Sequence, residues 1–214
     1  EFEASGVEQK VRVSRTLEAI DVMRKLWTGE PVTHHGRHFH LTDARISVKP
    51  KRPIPIWIGG SADKPVERSA RVADAWVSSM SPPIGQLAQW MKLFRDTRAE
   101  AGLAPASEYP VCREVYVGAN RNTAFGEVRS YLDYKYSAYA QWGSSNVVGQ
   151  FAKGIEDYAR DRFIIGDAES VADEITRYRE TLGLNHLICR MQWPGMPQEA
   201  VLTSIARLGK AVAR

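Results

Sequence analysis

The sequence predicts an α/β fold built on a parallel sheet, and three observations predict it. Short apolar runs at Ile56–Ile58, Ala75–Ser78, Val111–Val117 and His186–Met191 have strand character. Each is followed by a longer segment with apolar residues at helical spacing, and strands alternating with helices imply parallel pairing with right-handed crossovers. The run Pro55-Ile56-Trp57-Ile58 stops abruptly at Gly59-Gly60-Ser61-Ala62-Asp63, the strand, tight glycine turn and helix start with which α/β proteins build anion sites. Two architectures satisfy this pattern: an open doubly wound sheet, or part of a (β/α)8 barrel, of which four βα units are half. The 214 residues fall short of the roughly 250 typical of a whole barrel.

The elements follow in order. Val13, Leu17, Ile20, Met23 and Trp27 recur at helical spacing, and Gly29 closes that helix. Residues 30–54 are irregular and rich in His, Pro and Lys, and read as a hairpin-like excursion. The strand Ile56–Ile58 leads into a helix over 64–73, then a strand over 75–78. A longer helix places Ile84, Leu87, Met91 and Phe94 on one face and ends near Gly102. In Val111–Val117, the side chains of Val111, Val115 and Val117 are expected to face one way and those of Cys112, Glu114 and Tyr116 the other. Residues 123–142 are helical and rich in aromatics, while 143–166 break the pattern with four glycines and two serines. Asp167 is placed to cap a helix whose inner face is Val171, Ile175, Tyr178 and Leu182, with Gly183 at its end. The strand 186–191 and a helix with Val201, Ile205, Leu208 and Val212 inward complete a single domain over 1–214, without internal repeat or linker.

Composition narrows the function classes. With 43% hydrophobic and 25% charged residues the chain reads as a soluble globular protein. The net charge of +4 is dispersed, without a basic block interleaved with aromatics, which disfavours nucleic acid as a partner. No apolar run approaches the roughly 20 residues of a membrane span. The opening Glu1-Phe2-Glu3-Ala4 has neither a basic start nor an apolar stretch and lacks an initiator methionine, so Glu1 is expected not to begin the natural gene. Cys112 and Cys189 lie in apolar strand-like runs and are expected to be buried free thiols in a reducing cytoplasm.

His34, His35, His38 and His40 suggest a metal site only superficially. They lie in the irregular, hairpin-like stretch 30–54 rather than on a helix, and no Cys or carboxylate pattern joins them, so no metal is expected. No supported Ser/His/Asp arrangement, P-loop or paired carboxylates occur, and the sequence identifies no catalytic acid or base.

Several segments, in order, resemble the bacterial-luciferase-like flavin-dependent oxidoreductases. They are Glu1-Phe2-Glu3-Ala4-Ser5-Gly6-Val7, Leu17-Glu18-Ala19-Ile20, Leu26-Trp27-Thr28-Gly29, His35-Gly36-Arg37-His38-Phe39, Pro55-Ile56-Trp57-Ile58-Gly59-Gly60-Ser61 and Arg68-Ser69-Ala70-Arg71-Val72-Ala73-Asp74-Ala75-Trp76. Phe163-Ile164-Ile165-Gly166-Asp167-Ala168-Glu169-Ser170-Val171 and Trp193-Pro194-Gly195-Met196 extend the resemblance over nearly the whole chain.

The resemblance implies a (β/α)8 barrel binding FMN or a deazaflavin coenzyme at the carboxyl ends of its strands, in a monooxygenase or a hydride-transferring dehydrogenase or reductase. It also implies that this sequence joins the family pattern after the fourth strand, giving a half-barrel. The isoalloxazine pocket and the catalytic acid or base would then lie largely in the absent units. A non-catalytic half-barrel that binds a ligand or serves in assembly is the alternative.

By the same resemblance Gly59, Gly60, Ser61 and Ala62 cradle the coenzyme phosphate, an ordinary βα turn being the plainer reading. Asp63 would repel that phosphate unless it turns back to cap its own helix. Arg190 and Trp193 follow the last strand, where barrel enzymes place functional side chains, and are expected on the substrate side. A surface ion pair is the plainer role for Arg190, and packing for Trp193. The segment 131–166 is expected to form a lid, core packing being the plainer role of Tyr136, Tyr139 and Trp142. A half-barrel exposes edge strands and an inward sheet face, so a cytoplasmic homo-oligomer is expected.

Overall fold

A computed structural model describes residues 2–143 and 151–213, and the chain forms two compact units, Glu1–Pro55 and Ile56–Arg214. In the first, helix α1 (Arg12–Leu26) precedes an antiparallel hairpin of β1 (Val32–His35) and β2 (His40–Ala44), paired His34 to Leu41 and His35 to His40. Ile20 and Val22 are the buried residues of α1, whereas Met23, expected inward, is exposed. Gly29 takes φ +81°, the left-handed turn that only glycine adopts without strain.

Glu18 organises this unit. Its carboxylate accepts hydrogen bonds from His34 Nε2 at 3.1 Å, from the His38 amide at 3.0 Å and from the Phe39 amide at 2.8 Å. Gly36 lies so close to this carboxylate that a Cβ there would collide with it. Desolvation pushes the Glu18 pKa up, but the two amides and the His34 ring together outweigh it and bring the value down to about 2. A depressed carboxylate stabilises the fold above its ordinary pKa of 4.5, and that contribution fades as pH falls toward about 2. The stability gap between wild type and Glu18→Gln is therefore expected to be widest above pH 4.5 and to close with acidification, as read by thermal unfolding across that range. A gap independent of pH would contradict this role.

The second unit holds two parallel sheets. Strand β3 (Trp57–Gly59) pairs with β4 (Ala75–Val77), Trp57 opposite Ala75 and Gly59 opposite Val77. Strand β5 (Pro110–Val117) lies between β6 (Ile164–Gly166) and β7 (His186–Arg190), with Val115 opposite Ile164 and Glu114 opposite Arg190. The intervening helices are α2 (Asp63–Val72), α3 (Ile84–Glu100), α4 (Arg121–Gln141), α5 (Ile155–Ala159), α6 (Ala168–Leu182) and α7 (Gln198–Val212). Strand β6 was not expected, since three residues carry no periodicity.

One core cluster packs Val66 and Ala70 of α2, Leu87, Met91 and Phe94 of α3, and Tyr178 and Leu182 of α6 around Trp76, Val111, Val115 and Val117. A second gathers Val128, Leu132 and Tyr136 of α4 with Tyr158, Phe163 and Trp193. Strand β5 is thus covered on both faces, and Cys112 alone of its eight residues is not buried. Cys112 and Cys189 are free and half-buried rather than buried, and burial still raises both thiols, Cys189 to about 11. Asp167 caps α6 by accepting the Ser170 amide at 3.0 Å, and Gly183 ends it at φ +61°. The inward face of α7 differs from the expected one: Val201, Ser204 and Ala211 are buried, while Ile205 and Val212 are exposed. That helix is apolar on two sides, so spacing alone does not select the packed face.

Among the described residues no helix is long and apolar enough to cross a membrane. Of the segment 131–166, residues 144–150 lie outside the described residues.

Candidate coenzyme and substrate site

At the carboxyl end of β3 the chain turns through Gly60 and Ser61 to Ala62, the N-cap of α2. Pro65 in the first helical turn has a pre-set φ, and the helix begins with the Val66 amide donating to the Ala62 carbonyl at 3.1 Å. A Cβ on Gly60 would collide with Pro65, whereas one on Gly59 would meet the Val77 carbonyl oxygen at an ordinary 3.6 Å. Gly60 is therefore required by close approach, not by backbone hand. Trp76 Nε1 donates to the Gly60 carbonyl at 3.0 Å and fixes the turn. Among the described residues the Ser61 and Ala62 amides donate no hydrogen bond outside helices and strands.

Ser61 Oγ lies 3.0 Å from Ser79 Oγ, which follows β4. Two hydroxyls from neighbouring parallel strands thus meet at the mouth of α2, where unpaired amides and the helix dipole favour an anion. Asp63 does not take its plainer role of capping its own helix. Its carboxylate accepts the Trp90 indole N–H at 2.8 Å. A cavity of about 360 Å³ adjoins Ser61, lined by Ser81, Pro82, Gln86, Trp90 and Arg162.

The loop carrying Ser79 is held from below by Arg113 of β5. This guanidinium is fully buried and donates to the carbonyls of Ser79 at 3.3 Å, Pro82 at 3.0 Å and Cys112 at 2.9 Å, and to the Tyr178 hydroxyl at 3.0 Å. Burial lowers its pKa, and among the described residues it has no carboxylate partner. Arg162 supports the same loop by donating to the Ser81 carbonyl at 2.8 Å.

The next residue, Glu114, is also fully buried and faces the other way. Its carboxylate accepts from Lys135 Nζ, from the Tyr136 hydroxyl at 2.9 Å and from the Trp193 indole at 2.7 Å. Burial pulls the Lys135 pKa down, with the Glu114 charge opposing that pull. Beside this cluster a cavity of about 410 Å³ is lined by Lys135, Tyr139, Trp142, Arg190 and Gln192. Arg190 is exposed at the end of β7 and, among the described residues, makes no ion pair.

The model of the luciferase-like monooxygenase family matches residues 1–185. The chain belongs to that family. An F420-dependent glucose-6-phosphate dehydrogenase of Microbacterium testaceum is 27% identical over 202 residues, covering 91% of this chain and 59% of the relative. The structure of an F420-dependent secondary alcohol dehydrogenase in complex with an F420-acetone adduct superposes with TM-score 0.69 at 24% identity, over 88% of this chain and 59% of that one. The oxygenating constituent of a 3,6-diketocamphane monooxygenase from Pseudomonas putida, in complex with FMN, gives TM-score 0.70 at 18% identity, over 92% of this chain and 61% of that one. The fold is that of the luciferase-like barrel enzymes, and the chain spans about three fifths of the length of the curated relatives it matches.

Within this family member the structure brings Gly59, Gly60, Ser61 and Ala62 together at one helix mouth and puts Arg190 on a cavity wall. It does not bring Trp193 to that wall: the residue is 2% exposed, with its indole committed to Glu114. The histidines do not converge either. His34 binds Glu18, His38 Nε2 lies 2.8 Å from Ser14 Oγ, and no group of three or more His, Cys, Asp or Glu forms among the described residues. Sequence reasoning missed Ser79, Arg113, Glu114 and Lys135. The available signal was the charged pair Arg113-Glu114 inside the strongest strand pattern, where burial demands partners.

Proposed function

We propose that this chain is the C-terminal part of a (β/α)8 barrel and carries the phosphate grip and the substrate side of a flavin- or deazaflavin-dependent oxidoreductase acting on a small organic compound. The observation that carries this reading is the meeting of Ser61 and Ser79 over the N-terminus of α2, with Asp63 drawn aside by Trp90. These donors suit a phosphate. Gly59, Gly60, Ser61 and Ala62 would hold it through amides, a hydroxyl and the helix dipole. Similarity to F420-dependent dehydrogenases and to an FMN-bound monooxygenase supports FMN or F420 as the coenzyme. When bound, such a ring supplies hydride transfer, and a flavin can also react with O2.

The chain's own residues bind, orient and exclude water. Arg113 and Arg162 hold the loop that presents Ser79, while Arg190 faces the substrate. In this reading 1–214 is one luciferase-like domain, with 30–54 as its excursion and the described residues of 131–166 bordering the substrate. It also includes self-association, supported by Leu202, Ile205 and Val212 exposed along α7. Light scattering at micromolar concentration should then give a mass above one chain, and a well-folded monomer would contradict that part.

The coenzyme test is a fluorescence titration with FMN, F420 and riboflavin. FMN should bind at least about tenfold more tightly than riboflavin, which lacks the phosphate, because the grip is aimed at that group. Gly60→Ala, which drives a Cβ into Pro65, should erase the difference. Equal affinity for FMN and riboflavin in the wild type, or binding of none of the three ligands, would overturn the reading.

A further inference from the structure

We propose that the cavity of about 410 Å³ at Arg190 takes a planar, conjugated monoanion, an aromatic carboxylate in kind, as the substrate class of the site. This rests on the reading above that Arg190 faces the substrate. Charge inventory comes first. Two cations border the cavity, but Lys135 Nζ is committed to the buried Glu114 carboxylate, and its pull on a second anion is spent there. Arg190 is the one cation left over among the described lining residues, and it makes no ion pair. One uncommitted guanidinium suits one carboxylate, which it can bind bidentately.

Shape comes second. Three aromatic rings, Tyr134, Tyr139 and Trp142, border the cavity, and Tyr134 and Trp142 are 66% and 77% exposed. Tyr139 and Trp142 have ring centroids 5.8 Å apart and planes inclined by 41°, so they pack on each other and form one aromatic wall. A flat ligand stacks on such faces with offset or edge geometry, whereas a saturated ring presents only its rim. A sugar phosphate fits poorly, since its hydroxyls need a ring of polar partners and its dianion a second cation. Gln192 and the tyrosine hydroxyls supply few of the former, and Glu114 has removed the latter.

Calorimetric titration of the 214-residue chain with four probes tests the assignment. Cinnamate should bind about tenfold more tightly than cinnamamide (same plane, no charge) and than cyclohexanecarboxylate (same charge, no plane), and more tightly than glucose 6-phosphate. Arg190→Gln should bring cinnamate down to the cinnamamide level while leaving cinnamamide unchanged, and Trp142→Ala should weaken both. Tighter binding of glucose 6-phosphate, an Arg190→Gln chain that binds cinnamate undiminished, or no cinnamate binding would overturn the proposal. The FMN and riboflavin comparison reports on the coenzyme separately, so failure there with cinnamate selectivity intact would sink the oxidoreductase reading and leave the pocket assignment standing.

Discussion

Glu114→Ala is expected to lower the unfolding free energy by about 3–5 kcal/mol, the usual cost of removing one partner from a buried ion pair. Three donors converge on this carboxylate from two other parts of the chain, Lys135 and Tyr136 on α4 and Trp193 beyond β7. Alanine leaves a buried ammonium without a counter-charge and leaves two further N–H and O–H groups unpaired. Total stabilities are about 5–15 kcal/mol, so such a loss can bring the variant to the edge of folding.

The pH dependence of that loss has a definite sign. Burial already depresses the Lys135 pKa, and Glu114→Ala removes the charge and hydrogen bond that oppose the depression. The folded state then prefers the neutral amine, so the variant should recover stability as pH rises from neutrality toward the ordinary lysine value of 10.5. The double variant Glu114→Gln/Lys135→Met, which removes both charges, should be more stable than Glu114→Ala, as measured by denaturant unfolding. A single variant within about 1 kcal/mol of wild type would show that the pair is not buried as described.

The second large effect is expected at Arg113. Arg113→Met keeps most of the volume and removes a desolvated charge, which by itself is favourable. It also leaves the carbonyls of Ser79, Pro82 and Cys112 and the Tyr178 hydroxyl short of a donor. Each orphaned buried group costs about 1–3 kcal/mol, so the unpaired groups outweigh the relieved charge and a net loss of about 2–4 kcal/mol follows. Arg113→Lys should recover little, because a point charge cannot reach carbonyls that the planar fork spans together. Thermal unfolding of both variants checks this, and a methionine variant as stable as wild type would contradict it. Because Arg113 holds the Ser79 loop, the methionine variant should also lose FMN affinity at temperatures where it remains folded.

The parallel α/β plan could be read from the chain because strand runs and helical spacing are local properties that packing did not overrule. Ile84, Leu87, Met91 and Phe94 all face the core as their spacing requires, and Asp167 and Gly183 bound α6 through cap chemistry written in two residues. The glycine turn at 59–62 was legible for the same reason. Its partner Ser79 was not, because the contact between Ser61 and Ser79 exists only once β3 and β4 lie side by side. Strand β6 escaped because three residues do not make a period, and the face of α7 because the helix has two apolar sides. Arg113 and Glu114 showed their charge but not their partners, which come from α4, α6 and the loops after β4 and β7.

If main-chain amides and hydroxyls at the mouth of α2 grip a coenzyme phosphate, as proposed, binding of that phosphate must perturb those amides. Backbone amide chemical shifts of the isotope-labelled chain, followed during addition of FMN and then of riboflavin, test it most directly. FMN is expected to move the amides of Gly60, Ser61, Ala62 and Asp63 most, while riboflavin leaves them in place. Movement of these amides by riboflavin as strongly as by FMN, or FMN shifts confined to other parts of the chain, would contradict it.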